Sequence, residues 1–124
     1  MPQVKVYGLL ESIGKNAAAL SEAIHAAMVS ALKAQPDKKF QRFFAMDRSE
    51  FLFPSDRSDS YTIIEVSMFE GRSVETKKSF IRQLLANIER DVGIRPYDLE
   101  VTLFETPRAN WAIRGVLGDE LQTS

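Results

Sequence analysis

Pro2 is the residue of this sequence best suited to unusual chemistry. It directly follows Met1, and an initiator methionine is normally removed when the second residue is small. The chain would then begin with a free secondary amine, and an apolar pocket with nearby arginines would lower the pKa of that amine. Proline in second place is often without function, but an extended segment begins at Val4, so we expect Pro2 to be held at the end of a strand.

Arg72 is the second candidate, and it lies in the segment FEGRSVETKKSF (residues 69–80). Gly71 permits a tight turn there, and Arg72 stands directly before a predicted helix. A guanidinium in this place could bind a substrate carboxylate through two parallel hydrogen bonds. The alternative interpretation is an ordinary surface arginine at a strand-to-helix turn.

Other side chains could line a pocket, and each has a plainer explanation. His25 follows Ile24 on a predicted helix, where packing and hydrogen bonding are more common roles than catalysis. Trp111, with Asn110, could close a pocket or a subunit contact, or could fill the core. Further candidate anion ligands are Arg42, Arg48, Arg57, Arg108 and Arg114.

Composition restricts the class of protein. The chain has 124 residues, of which 44% are hydrophobic, and we predict a single domain over residues 1–124. Sixteen basic and seventeen acidic residues are spread along it, which disfavours nucleic acid and membrane surfaces as partners. The absence of cysteine and the single histidine exclude disulfides, thiol nucleophiles and His-rich metal sites. With no long apolar stretch, we expect a cytoplasmic protein.

Hydrophobic spacing predicts the elements that must position these residues. An extended segment begins at Val4, and apolar residues recur every four positions over a helix at residues 13–34, which Pro36 ends. A second helix covers residues 73–92, with Ser73 as its N-cap and Gly93 after its end. The other predicted strands are residues 40–46, 62–69 and 99–105, and a short hairpin follows the last of them.

The two halves of the chain, about 1–59 and 60–124, share this order of elements. An offset of about 59 positions aligns them, placing Glu70 on Glu11 and Leu103 on Phe44. The chain is therefore predicted to be a βαβ unit written twice. The pattern is compatible with a ferredoxin-like sandwich and with two parallel βαβ units side by side in one sheet.

Several segments together resemble the tautomerase superfamily, over nearly the whole chain. The resemblance is closest to the longer, fused members related to malonate semialdehyde decarboxylase. It is carried by the N-terminal proline before a strand, RSD (57–59), TIIEVSM (62–68), GRSVETKK (71–78), GIRPYDLEVTLFE (93–105) and ANW (109–111).

This resemblance implies an α+β fold in which a tandem βαβ repeat forms a four-stranded sheet with two helices on one face. It also implies a homotrimer, a small keto or enol carboxylic acid as substrate, and no cofactor. By position, Pro2 would be the general acid and base, and Arg72 would bind the carboxylate. Substrate-binding roles would fall to His25, Asp37, Trp111 and Arg114.

Two positions depart from the decarboxylase branch. Glu70 replaces a further arginine, and Lys38 stands where that branch has an acid, with Asp37 one step away. Both weaken a decarboxylase assignment, although decarboxylase, hydratase and dehalogenase chemistry stay open. Two further alternatives stay open, a non-catalytic binding oligomer and a ferredoxin-like regulatory domain. The regulatory domain would form dimers, and its function would not depend on the amino terminus.

Overall fold

The computed structural model describes residues 2–121 and has an α+β architecture. One mixed sheet contains four strands in the order β2-β1-β3-β4. The elements are β1 (Gln3–Leu9), α1 (Ala17–Leu32), β2 (Gln41–Met46), β3 (Thr62–Phe69), α2 (Val74–Val92), β4 (Leu99–Thr106) and a hairpin of β5 (Ala112–Ile113) and β6 (Val116–Leu117).

The pairing of the strands decides between the two architectures that the sequence allows. β1 pairs in parallel with β2, and β3 pairs in parallel with β4. The two units then join through antiparallel pairing of β1 with β3 at the centre of the sheet. The predicted tandem βαβ repeat is confirmed, as two units side by side in one sheet.

The main core lies between one face of the sheet and both helices. Val4, Val6, Ile64 and Val66 point to this face from the central strands and are almost completely buried. The two helices contact each other above them, so both lie on the same face, as predicted. None of the described helices is long and apolar enough to cross a membrane.

The first helix begins later than the hydrophobic spacing predicts. Residues Leu10–Gly14 form a π-helical turn, and the α-helix starts at Ala17 rather than near Ile13. Ile13 is completely buried and folds back over Gly8, where an added Cβ would lie 2.7 Å from Ile13 Cγ2. This local contact holds Ile13 in the turn before the helix, although its spacing is helical.

The repeat is real, but the predicted offset of 59 is wrong by one residue. The separation of 37 between paired residues recurs in both units, and burial fixes the offset at 60, since buried Val4 then aligns with buried Ile64. At this offset buried core residues align, whereas an offset of 59 would place Val4 on the opposite face of the sheet, because side chains alternate along a strand. Further core matches are Val6 with Val66, Leu20 with Phe80, Ile24 with Leu84, and Met28 with Ile88.

Candidate active site

A cavity of about 180 Å³ lies where the chain enters β1. Because β1 and β2 are parallel, the connection from α1 to β2 reaches the sheet at this same end. The turn from β3 into α2 contributes one side chain, Arg72. The lining residues are Pro2, Val4, His25, Met28, Leu32, Lys33, Ala34, Gln35, Lys38, Phe40, Gln41 and Arg72.

Pro2 is buried at one side of this cavity. It directly precedes β1, and the backbone N–H of Val4 donates to the carbonyl of Phe40 at 2.9 Å, which holds the start of the strand against the beginning of β2. Pro2 is therefore fixed by the sheet. Met1, whose removal we predict, lies outside the described residues.

Arg72 reaches the same cavity from the turn before α2, where Ser73 caps the helix by accepting from the N–H of Thr76. The guanidinium is half-buried, and its Nη2 donates one long hydrogen bond of 3.5 Å to the carbonyl of Leu32. Within residues 2–121 it forms no ion pair. The guanidinium is thus available to an anionic ligand.

The electrostatics around Arg72 favour such a ligand. Burial lowers the pKa of the Arg72 guanidinium from its ordinary value, and nearby Arg108 lowers it further, while Glu105 acts in the opposite direction. Glu105 is itself held by the ammonium of Lys77 at 2.9 Å. A bound carboxylate would compensate for the lost hydration of the guanidinium and offset the repulsion from Arg108.

His25 also lies in the cavity, and its hydrogen bond assigns its tautomer. Its Nε2 is 2.8 Å from the carbonyl oxygen of Pro36. Because a carbonyl can only accept, Nε2 must be the donor, which leaves Nδ1 as the acceptor in the neutral ring. His25 thereby ties α1 to the turn that leads into β2.

The two departures from the decarboxylase branch have different places in the structure. Lys38 and Asp37 are both exposed, but only Lys38 is among the lining residues. Glu70 is also exposed outside the cavity. No carboxylate is among the described residues that line the cavity, while three cations are: Lys33, Lys38 and Arg72.

Two other predicted substrate-binding residues lie outside the cavity. Trp111 is half-buried and packs edge-on against Phe69, with ring centroids 5.2 Å apart. Arg114 is exposed at the turn of the β5–β6 hairpin, with φ of 52°. Neither is among the described lining residues. The hairpin is fixed near Phe69 by Gly118, where a Cβ would lie 2.8 Å from the Phe69 ring.

The remaining candidate arginines contact other groups. Arg42 donates to Gln3, Arg48 binds Glu11 and Asp59, Arg57 packs over Tyr97, and Arg108 packs over Phe69. Lys33 and Gln35 are lining residues that sequence reasoning missed. The one indication of them in the sequence was that they are polar residues near the end of a predicted helix, before Pro36. Among residues 2–121, no three His, Cys, Asp or Glu side chains are grouped to hold a metal ion.

Known proteins share this sequence pattern. A family model described as "Tautomerase enzyme" matches residues 38–114. A probable tautomerase of Bacillus subtilis (strain 168), YusQ, is 26% identical over 98 residues, covering 75% of this chain and 77% of that protein. The 2-hydroxymuconate tautomerase of Comamonas testosteroni is 35% identical over 57 residues, covering 46% of this chain and 90% of that enzyme.

Solved structures share the fold. Malonate semialdehyde decarboxylase superimposes with a TM-score of 0.78 at 25% identity, covering 90% of this chain and 89% of that one. A fused 4-OT that forms an asymmetric trimer gives a TM-score of 0.82 at 15% identity, covering 94% and 96% of the two chains. Since the family model matches more than half of the sequence and the fold agrees, the chain belongs to the tautomerase superfamily.

Proposed function

We propose that this protein is a cofactor-independent tautomerase that acts on keto and enol carboxylic acids. In this proposal the amine of Pro2, freed by removal of Met1, is the general acid and base, and Arg72 binds the substrate carboxylate. The observation that carries the proposal is that Pro2 and Arg72 line one cavity, although 70 positions separate them in the sequence.

The proposed reaction moves one proton and leaves no net change in charge. The lone pair of the Pro2 nitrogen takes a proton from the substrate, such as the hydroxyl proton of an enol acid, and the electrons of that bond form the carbonyl. The π electrons of the C=C bond then take this proton from the ammonium, which forms the new C–H bond and restores the neutral amine. Arg72 holds the carboxylate and stabilises the negative charge that develops between the two steps.

The surroundings of Pro2 favour an amine that is neutral near physiological pH. Burial disfavours the ammonium form, and the cationic lining disfavours it further through like-charge repulsion. Apolar side chains of Val4, Met28 and Leu32 form part of the wall and limit access of water. A base with a lowered pKa is suited to exchanging protons in both directions.

We further propose that the protein assembles as a homotrimer, as the fused 4-OT does. The sheet face opposite the helices supports this proposal, because it carries large exposed aromatic side chains. Phe44 and Phe104 on this face are 40% and 50% exposed, and Phe44 stacks on Tyr7 at 5.0 Å. In such an assembly, Trp111 and Arg114 could contact the cavity of a neighbouring subunit.

The test compares mature protein, shown by mass spectrometry to begin at Pro2, with Pro2→Ala and Arg72→Ala. The assay is ketonisation of 2-hydroxymuconate or of the enol of phenylpyruvate, with circular dichroism to verify folding. We expect each variant to lose roughly 100-fold or more of kcat/KM. Full activity in Pro2→Ala would show that the secondary amine of proline is not required, and full activity after acetylation of the terminus would refute the amine mechanism. Complete inactivity of the mature wild type on both substrates would favour a binding role or another reaction.

A further inference from the structure

We propose that His25 is a positioning residue of the candidate active site, which holds the α1–β2 connection (residues 33–40) in the shape that forms one wall of the cavity. This inference rests on the proposed function, because it concerns the same site. The path of the connection decides the form of the cavity beside Pro2. The connection supplies five of the lining residues, namely Lys33, Ala34, Gln35, Lys38 and Phe40.

His25 reaches the middle of this connection from α1. Its Nε2 donates to the carbonyl of Pro36 at 2.8 Å. That carbonyl lies inside a turn, which a backbone hydrogen bond of 3.0 Å closes from the N–H of Lys38 to the carbonyl of Gln35. Residues 35–40 of the connection are all exposed, so few packing contacts are available to fix the turn. The hydrogen bond from His25 therefore ties an exposed turn to a helix of the core.

The same connection also fixes the start of β1. The carbonyl of Phe40, its last residue, accepts from the N–H of Val4 at 2.9 Å. Only Gln3 stands between Val4 and Pro2. A displaced connection would thus move Pro2 relative to the rest of the cavity, and misplacement of a reacting group by about 1 Å can reduce a rate roughly 100-fold.

The second unit shows how the equivalent connection is held without a histidine. Its turn, at Pro96, is closed by a hydrogen bond of 2.9 Å from the N–H of Asp98 to the carbonyl of Arg95. Ile94 and Asp98 anchor this connection in the interior, where they are 3% and 1% exposed. The carbonyl of Pro96 accepts from the backbone N–H of Leu99. Burial and the backbone itself therefore hold the second connection.

The first unit lacks these buried anchors. At the offset of 60 residues, half-buried Ala34 and exposed Lys38 stand where the second unit has its two buried residues. On α2, Leu85 takes the place of His25 and has no side-chain donor. The polar contact from the helix is thus found in the unit whose connection is exposed, and this is the unit that borders the cavity.

The experiment measures hydrogen exchange of backbone amides by NMR in the ligand-free mature full chain, so it does not depend on turnover. His25→Leu introduces the side chain that the second unit has at this place, and His25→Gln keeps a side-chain N–H donor. Glu22→Ala is the matched control, because it removes an ion pair of 2.6 Å between α1 and Lys39 of the same connection. The amide of Lys38 reports on the turn.

We expect His25→Leu to speed exchange of the Lys38 amide roughly fivefold, because the turn loses the stabilisation of one hydrogen bond. The equivalent amide of Asp98 should change less than about twofold. His25→Gln and Glu22→Ala should keep both amides within about twofold of wild type. In the 2-hydroxymuconate assay, kcat/KM should fall roughly tenfold in His25→Leu and stay within about threefold of wild type in His25→Gln.

Three results would overturn the inference. Wild-type exchange of the Lys38 amide in His25→Leu would mean that His25 does not hold the turn. Exchange in His25→Gln as fast as in His25→Leu would mean that a side-chain donor is not what holds it. Faster exchange with unchanged kcat/KM in His25→Leu would mean that the turn does not position the site. Absence of turnover in mature wild type counts against the proposed function alone, since the exchange comparison still tests the role of His25.

Discussion

The two βαβ units have equivalent ends, where β1 and β3 begin, and these two ends differ in their burial. The end at β1 borders the cavity, whereas the residues at the β3 end are packed inside the protein. At the offset of 60 residues, Pro2 corresponds to Thr62, Lys38 to Asp98 and Arg72 to Ser12, and the three counterparts are 0%, 1% and 7% exposed.

Polar groups at the β3 end bind one another. Asp98 accepts hydrogen bonds from the backbone N–H of Ser58 at 2.9 Å and from its hydroxyl at 2.6 Å. Thr62 Oγ1 donates to the carbonyl of Ser60 at 2.8 Å. A buried polar network of this kind, fully satisfied, fixes one arrangement of the loop before β3. One backbone plan thus forms a buried polar network at one end and lines an open cavity at the other.

The largest expected effect is on the stability of the fold, which should depend on the β3 end more than on the β1 end. Asp98→Ala should lower the free energy of unfolding by about 2 kcal/mol, because it removes a buried carboxylate and leaves the half-buried N–H and hydroxyl of Ser58 without their acceptor. Lys38→Ala, at the equivalent position, should change it by less than about 0.5 kcal/mol. Urea denaturation of both variants measures the difference. Equal losses of unfolding free energy in the two variants would mean that the polar network at the β3 end does not contribute more to stability than the turn at Lys38.

The contribution of Asp98 to stability should depend on pH in the acid range. Burial raises the pKa of Asp98, but the hydrogen bonds from Ser58 and Arg95 outweigh it, so the folded pKa lies below the ordinary value of 3.8. A carboxylate with a lowered pKa stabilises the fold above its unfolded pKa, and this contribution is lost as the pH falls through the folded value.

Unfolding free energies measured by urea between about pH 6 and pH 2.5 test this. Asp98→Asn should lack part of the acid-induced loss that wild type shows. Asp37→Asn, which removes an exposed carboxyl from the turn at the cavity, serves as control and should follow the wild-type profile. An unchanged profile in Asp98→Asn would contradict the assignment.

The smallest expected effect compares the residues that end the two helices. Lys33 and Gly93 are equivalent at the offset of 60 and both are left-handed, with φ of 61° and 82°. Nothing lies within 4 Å of a Cβ added at Gly93, so Gly93→Ala should cost about 1 kcal/mol through backbone strain alone. Lys33→Gly should gain roughly 0.5 to 1 kcal/mol for the same reason. Thermal or urea unfolding checks whether the two changes have opposite signs.

Much of the fold could be predicted from the sequence because regular elements leave periodic patterns. Both helices and all four sheet strands were predicted close to their observed positions, with Ser73 and Gly93 as the ends of α2. The start of α1 was not, because Ile13 has helical spacing but packs back on Gly8 within the π-helical turn. The repeat offset was missed by one residue, since the face of a strand is not fixed by the pattern of short apolar runs.

The candidate site was only partly predictable. Pro2 and Arg72 stood out by position and motif, but nothing in their spacing showed that they share a cavity. Asp37 and Lys38 are adjacent in the sequence, and only the geometry of the turn directs the lysine to the cavity lining. The roles proposed for Trp111 and Arg114 stay predictions, since both lie outside the cavity of the single chain.

The sequence by itself determined the elements, the family resemblance and the residues with unusual chemical potential, because these depend on local spacing and residue type. The tertiary structure decided which strands are neighbours, which end of the repeat is open and which charges face the cavity. These follow from contacts between residues far apart in the chain. Parallel pairing of β1 with β2 places the Lys38 turn beside Pro2, and antiparallel pairing of β1 with β3 brings in Arg72.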